Sequence, residues 1–228
     1  MRNKILFALA AFAAALIVRN LYVIFFVLGD EQNQGAIWRI FEFHFPAGIL
    51  GLGGFIVATI FSILYLVGND LRFDSISASI IEVSLVFAAI VLVTGSIWAR
   101  IIWGVWWAWD ARLTSMLICW LIFAGYLMLR RAIEEPTQRA RLSAVVSIFG
   151  GIDAIIVYKS IEWYRTQHPG PVLTIRGAND AMPEVWQHTA YWNLLAMTCL
   201  AIILVMVRMR QEGVSREIDS MRRLAHSY

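Results

Sequence analysis

Residues 46–67, "PAGILGLGGFIVATIFSILYLV", form an apolar run that contains no charged residue. The hydrocarbon core of a bilayer is about 30 Å thick, and an α-helix crosses it with about 20 residues. The run does not alternate between apolar and polar positions, and it is too long for a strand of a membrane β-barrel. It therefore predicts a membrane-spanning helix.

Five further apolar runs of the same kind lie at about 5–28, 80–98, 113–129, 142–158 and 189–207. The 228 residues are 60% hydrophobic and 15% charged, which is too apolar for an ordinary soluble domain. Apolar residues resume after Arg19 and Asn20, which favours an uncleaved first span over a signal peptide. We expect an all-α, polytopic protein with six transmembrane helices, in which residues 1–228 form a single integral membrane domain.

The distribution of basic residues predicts the orientation. If the N-terminus is inside, the inner segments carry twelve Lys and Arg residues and the outer segments carry six. Lys and Arg accumulate in cytoplasmic loops, so both termini are expected in the cytoplasm. The basic cytoplasmic ends also account for the net charge of +3 without a nucleic-acid partner.

Unusual residues concentrate in the three connections expected outside, at about 29–45, 98–114 and 159–188. Residues 103–114 read "WGVWWAWDARLT". If this stretch is helical, Trp103, Trp106, Trp107 and Asp110 share one face, whereas Trp109 and Arg112 point elsewhere. The indoles then form either an aromatic belt at headgroup level or a platform for a flat ligand.

Histidines occur in the other two outer connections. His44 is expected at the outer mouth of the second span, and His168 beyond the fifth. Each imidazole alone could be an interfacial polar residue. A pair of imidazoles can bind haem iron from both faces, and Arg39, Arg112 and Arg165 are candidates to pair with the haem propionates.

Three motifs carry a resemblance to a known family. "WGVWWAWDARLT" resembles the WWD signature of bacterial haem-handling proteins. "RIFEFHFPAG", residues 39–48, and "SIEWYRTQH", residues 160–168, resemble the two external histidine motifs of that group, although Tyr164 replaces a tryptophan of the second. The short six-span layout is similar to that of the CcmC family. His188 matches no ligand of the family.

The resemblance implies a set of site residues: His44 and His168 as axial ligands of the haem iron; Trp103, Trp106, Trp107, Trp109 and Asp110 as the haem platform; and Arg39, Arg112, Arg165, Glu162 and Trp163 as propionate or motif contacts.

The resemblance also implies a function. Haem, b-type and non-covalently bound, would be a transient cargo at the periplasmic face of the bacterial cytoplasmic (inner) membrane. It would be passed to the haem chaperone CcmE, with the small membrane protein CcmD and the ABC transporter CcmAB as further partners besides membrane lipid. Binding and transfer, not catalysis, are expected, and the sequence offers no nucleophile–base pair, phosphate loop or catalytic carboxylate pair.

Three alternatives stay open at this stage. A CcsA-like cytochrome c synthase subunit would also combine external histidines with this signature. A membrane b-type cytochrome is disfavoured because the six apolar runs contain no histidine. A solute transporter of another class would explain Asp153 and Arg19 within the spans but leave the tryptophans and histidines unused.

Overall fold

The computed structural model describes residues 2–170 and 182–225. Six long helices follow one another: α1 (Arg2–Tyr22), α2 (Phe41–Gly68), α3 (Leu71–Ile102), α4 (Ala111–Ala132), α5 (Pro136–Trp163) and α6 (Glu184–Ala225). A π-helical turn, Val23–Val27, extends α1, and a 3-10 turn, Ala36–Ile40, leads into α2. Within the described ranges, extended pairing is limited to one isolated bridge between Glu31 and Gly35.

All six helices contain a stretch long and apolar enough to cross a membrane, which confirms the predicted architecture. Helices α2 to α6 are longer than their apolar runs, because polar and charged residues flanking each run continue the helix. α3 begins at Leu71 instead of 80, and α6 continues to Ala225. The central part of the connection predicted over 159–188, residues 171–181 including Arg176, lies outside the described residues.

Local sequence signals set the ends of the helices on the side away from His44. Asn69 adopts the left-handed conformation, with φ of 53°, and terminates α2. The Asp70 carboxylate then accepts the Arg72 N–H at 2.9 Å and caps α3. Glu135 caps α5 by accepting the Thr137 and Gln138 N–H groups, and these bonds hold the pKa of this exposed carboxyl below its usual value.

Small residues bring the central helices together. A Cβ on Gly150 would lie 2.6 Å from the Phe123 ring, so α5 approaches α4 at a distance that only glycine permits. Phe123 in turn stacks on Phe55 of α2 with ring centres 3.9 Å apart. Close packing of small residues is the usual way for helices to associate in a bilayer, where burial of apolar surface provides no driving force.

The bundle has two ends, which we call the site end and the far end. At the site end, Asn193 near the start of α6 donates to the backbone carbonyl of Glu42 at the start of α2. At the far end, Arg130 of α4 pairs with the buried Asp74 of α3 at 2.6 Å, and Arg216 of α6 pairs with it at 2.7 Å. The start of α1 and the end of α6 belong to the far end, because the six helices alternate in direction.

Candidate functional site

His44 and His168 meet at the site end. Their ring centres are 6.4 Å apart and their planes are inclined by 31°. His44 lies in the first turns of α2, and His168 lies in the irregular segment that follows the end of α5 at Trp163. The two histidines are 124 residues apart in sequence, and the fold brings them together.

The local setting of His44 differs from the prediction. The sequence places His44 in a loop over 29–45 and leaves the spans free of histidine, whereas α2 begins at Phe41 and its apolar stretch includes His44. Ring stacking of Phe41 on Phe45, with centres 5.3 Å apart, favours the earlier start.

Pro46 explains why the prediction was wrong. Its position suggested the first turn of the second span, but Pro46 lies inside α2. A proline there leaves the carbonyl four residues earlier, that of Glu42, without its helical donor. The Asn193 side chain supplies the missing donor, so the helix continues through the proline.

Hydrogen bonds define the tautomer of His44. The Thr94 hydroxyl has a single proton, which it donates to the Ile90 carbonyl at 2.6 Å. It must therefore accept from Nδ1–H of His44, 2.9 Å away. Nε2 of His44 then carries no proton, and its lone pair is available to a metal ion.

The same argument applies to His168. Its Nδ1 lies 2.8 Å from the Pro169 carbonyl, which can only accept, so Nδ1 carries the proton and Nε2 is free. Burial, and secondarily the neighbouring Arg112 guanidinium, lower the pKa of His168 below its ordinary value. The imidazole is therefore neutral at pH 7, which is the form that binds a metal ion.

Residues of α3 that the sequence reasoning missed form the wall beside His44. The Trp98 ring meets the His44 ring edge to face at 5.9 Å and donates to the Gln34 side chain at 2.7 Å. A Cβ on Gly95 would lie 3.1 Å from Cε1 of His44, so glycine leaves room for the ring. The polar tripeptide Thr94-Gly95-Ser96 near the end of an apolar run was the available signal.

The tryptophan segment is not helical before Ala111, so the condition under which its indoles would share one helical face is not met. Helix α3 ends at Ile102, α4 begins at Ala111, and the residues between them form turns and extended backbone. Gly104 adopts a left-handed φ of 76°, and the Ser96 hydroxyl donates to the Trp106 carbonyl at 2.8 Å. Trp103, Trp106, Trp107 and Asp110 therefore do not share a helical face.

The tryptophan side chains divide into two groups. Trp106 and Trp109 are 59% and 78% exposed, whereas Trp103 and Trp107 are partly buried. Trp107 and Trp109 pack edge to face with ring centres 6.1 Å apart. The exposed indoles offer an aromatic surface to lipid or to a flat ligand.

Asp110 links the tryptophan segment to His168. Its Oδ1 accepts the Leu113 N–H at 2.9 Å and caps α4, while its Oδ2 accepts the Gln167 N–H at 2.9 Å. One carboxylate therefore fixes both the start of α4 and the backbone next to His168.

The arginines predicted as propionate contacts have different surroundings. Arg112 donates to the Val157 carbonyl at 3.1 Å and lies close enough to His168 to affect its pKa. Arg39 is held by the carbonyls of Ile24 and Leu28, and it pairs with Asp30 at 2.7 Å. Arg39 therefore ties the π-helical turn after α1 to the 3-10 turn before α2, and few of its donors remain for a ligand.

The remaining motif residues lie on the surface. Arg165 is exposed, Trp163 is 58% exposed, and Glu162 pairs with Lys159 at 2.8 Å. His188, in the first turns of α6, pairs with Glu184 at 3.1 Å.

Comparison with known proteins identifies the family. The family model described as heme exporter protein C matches residues 1–224. A heme exporter protein C of Bradyrhizobium diazoefficiens is 31% identical over 198 residues, which cover 87% of this chain and 75% of the relative. Relatives of the same name in Paracoccus denitrificans and Escherichia coli are each 30% identical, covering 86% and 79% of this chain and 81% and 72% of the relatives. The chain belongs to the heme exporter protein C family, CcmC.

Proposed function

We propose that this chain binds haem at the site end through His44 and His168, in the haem-handling steps of cytochrome c maturation. The observation that carries the proposal is the spacing of the two imidazoles. Two imidazoles on opposite sides of one metal ion have ring centres roughly 6 Å apart, since each metal–nitrogen bond is about 2 Å and each nitrogen lies ~1 Å from its ring centre. The 6.4 Å separation and the two free Nε2 atoms fit this arrangement.

The proposed site faces the periplasm. The segments assigned to the far end, which include both ends of the chain, carry twelve Lys and Arg residues, and the connections assigned to the site end carry six. Cytoplasmic segments are the ones enriched in these residues. The protein then lies in the bacterial inner membrane with both termini on the cytoplasmic side.

The tryptophan segment and the nearby arginines complete the site. Exposed indoles such as those of Trp106 and Trp109 can stack on a macrocycle. Of the three predicted arginines, Arg39 uses most of its donors on backbone carbonyls. Arg112 and Arg165 keep N–H donors that can bind the haem propionates. Haem is held here as a non-covalent cargo.

The two ligands differ in a way that suits release. His44 is fixed on a helix between Thr94 and Trp98, whereas His168 lies on an irregular segment held at Asp110. Segments with few packed neighbours open more easily than helices. We therefore assign His44 as the permanent ligand and His168 as the ligand that dissociates when haem passes to the chaperone CcmE, with CcmD and CcmAB as further partners.

An absorption experiment tests the proposal. The purified protein is expected to show a low-spin haem spectrum that weakens in both His44→Ala and His168→Ala. His188→Ala is the matched control, because His188 lies at the same end but is paired with Glu184. A spectrum that survives unchanged in both ligand variants excludes the bis-histidine site.

A further inference from the structure

A cavity lies at the far end, away from both histidines. It has a volume of about 470 Å³ and opens between α3, α4, α5 and α6. Six charged residues line it: Glu82, Arg130, Arg131, Arg139, Arg208 and Glu212.

Two of the four arginines already have partners. Arg130 pairs with the buried Asp74 at 2.6 Å and with Glu212 at 3.5 Å. Arg208 donates to Glu82 at 2.7 Å. Both carboxylates that line the cavity are therefore paired with arginines that line it. Asp74 also pairs with Arg216, and neither of these two residues lines the cavity.

Among the described residues, the other two arginines contact no carboxylate, although the charge of Glu135 acts on Arg139 from a longer distance. Within residues 2–170 and 182–225, neither Arg131 nor Arg139 makes a side-chain hydrogen bond or an ion pair, and the Nε of Arg139 is buried without an acceptor. A buried donor that loses water without gaining an acceptor destabilises the fold. Even when Asp74, Arg216 and Glu135, whose charge acts on Arg139, are included, the cavity carries one positive charge in excess.

We propose that this cavity binds a phosphate oxyanion, with Arg131 and Arg139 as its principal donors. Guanidinium groups present a planar fork of N–H donors that matches phosphate oxygens, and they are weakly hydrated, which favours them over lysine in a partly buried site. The ligand is either a soluble phosphate or the headgroup of an anionic phospholipid at the cytoplasmic boundary. The site is independent of the haem site and of its ligands.

Thermal unfolding in nanodiscs tests the proposal. The full chain is reconstituted in phosphatidylcholine alone and titrated with inorganic phosphate, and it is reconstituted separately with added phosphatidylglycerol. The double variant Arg131→Gln/Arg139→Gln is compared with Arg72→Gln/Arg141→Gln, which removes two charges from the same end but outside the cavity. Loss of two charge-assisted hydrogen bonds makes an affinity weaker by about a hundredfold or more the expected result for the first pair alone, which removes the Tm increase.

Each outcome has a defined meaning. A Tm increase with inorganic phosphate, absent in the cavity variant and retained in the control, supports a site for soluble phosphate. An increase with phosphatidylglycerol only supports a lipid headgroup site. No increase with either ligand, or equal increases in the cavity variant, overturns the proposal. Without added anion the cavity variant is expected to be at least as stable as the parent, because neither arginine is engaged in an ion pair within the described residues. A missing Tm increase in this variant therefore reports lost binding and not a lost fold.

Discussion

At the scale of single residues, Thr94 determines which nitrogen of His44 is available. Its hydroxyl donates to Ile90 and accepts from Nδ1 of His44, which leaves Nε2 unprotonated. Such a partner of a metal-binding histidine orients the ring and sets its tautomer. The Pro169 carbonyl does the same for His168.

Thr94→Val is therefore expected to weaken haem retention. Valine fills a similar volume but cannot accept from Nδ1, so the ring loses its orientation, and losses of about 10- to 100-fold in affinity are typical for such partners. Haem titration followed by absorption measures the change. Thr198→Val, at a hydroxyl that only donates to the Leu194 carbonyl of its own helix, is the control. Equal affinities in the two variants would show that Thr94 does not position His44.

At the scale of helices and their connections, Asp110 joins two elements that the sequence keeps apart. It caps α4 with one oxygen and holds the Gln167 backbone with the other. Because the segment from 164 to 170 is irregular, this bond is a principal restraint on where His168 lies.

Substitutions at Asp110 should separate these two roles. Asp110→Asn keeps an oxygen that can cap α4 but replaces the second acceptor with an amide donor, so haem retention falls while Tm changes little. Asp110→Ala removes the cap as well and costs about 1 kcal/mol of stability in addition. Asp70→Ala removes the corresponding cap of α3 at the far end and should lower Tm without affecting haem. If Asp110→Asn binds haem as tightly as the parent, the hydrogen bond between Asp110 and the Gln167 backbone does not contribute to haem binding.

At the scale of the whole molecule, the bundle separates two polar ends of different chemistry. Histidines and indoles lie together at the site end, and arginines and carboxylates lie together at the far end. The even number of spans and the excess of basic residues at the far end predict that the site end faces the periplasm.

Thiol labelling in intact cells tests this orientation. Gln32 is exposed at the site end and Glu134 at the far end, so Gln32→Cys should react with an impermeant reagent from outside and Glu134→Cys only after lysis. The native Cys119 and Cys199 are buried and should contribute little background. The reverse pattern would place the histidines in the cytoplasm and contradict the proposed function.

The sequence predicted much of this arrangement. Six apolar runs gave six helices, because crossing hydrocarbon leaves the backbone no other way to satisfy its hydrogen bonds within one segment. The motifs around His44, Trp103–Thr114 and His168 predicted the family. The sequence left open whether the tryptophan segment is helical; in the structure a left-handed Gly104 and the Asp110 cap keep it out of α3 and α4.

By itself the sequence determined the number of helices, their apolar character and the residue types that can bind a metal, since these depend on local composition and on the thickness of a bilayer. Only the tertiary structure decided that His44 lies on a helix, that Asn193 stabilises this helix through its proline, and that His168 comes within 6.4 Å of His44. These features arise from contacts between segments distant in the chain, where packing and hydrogen bonding set the geometry. The periodicity of apolar residues along the sequence does not reveal such contacts.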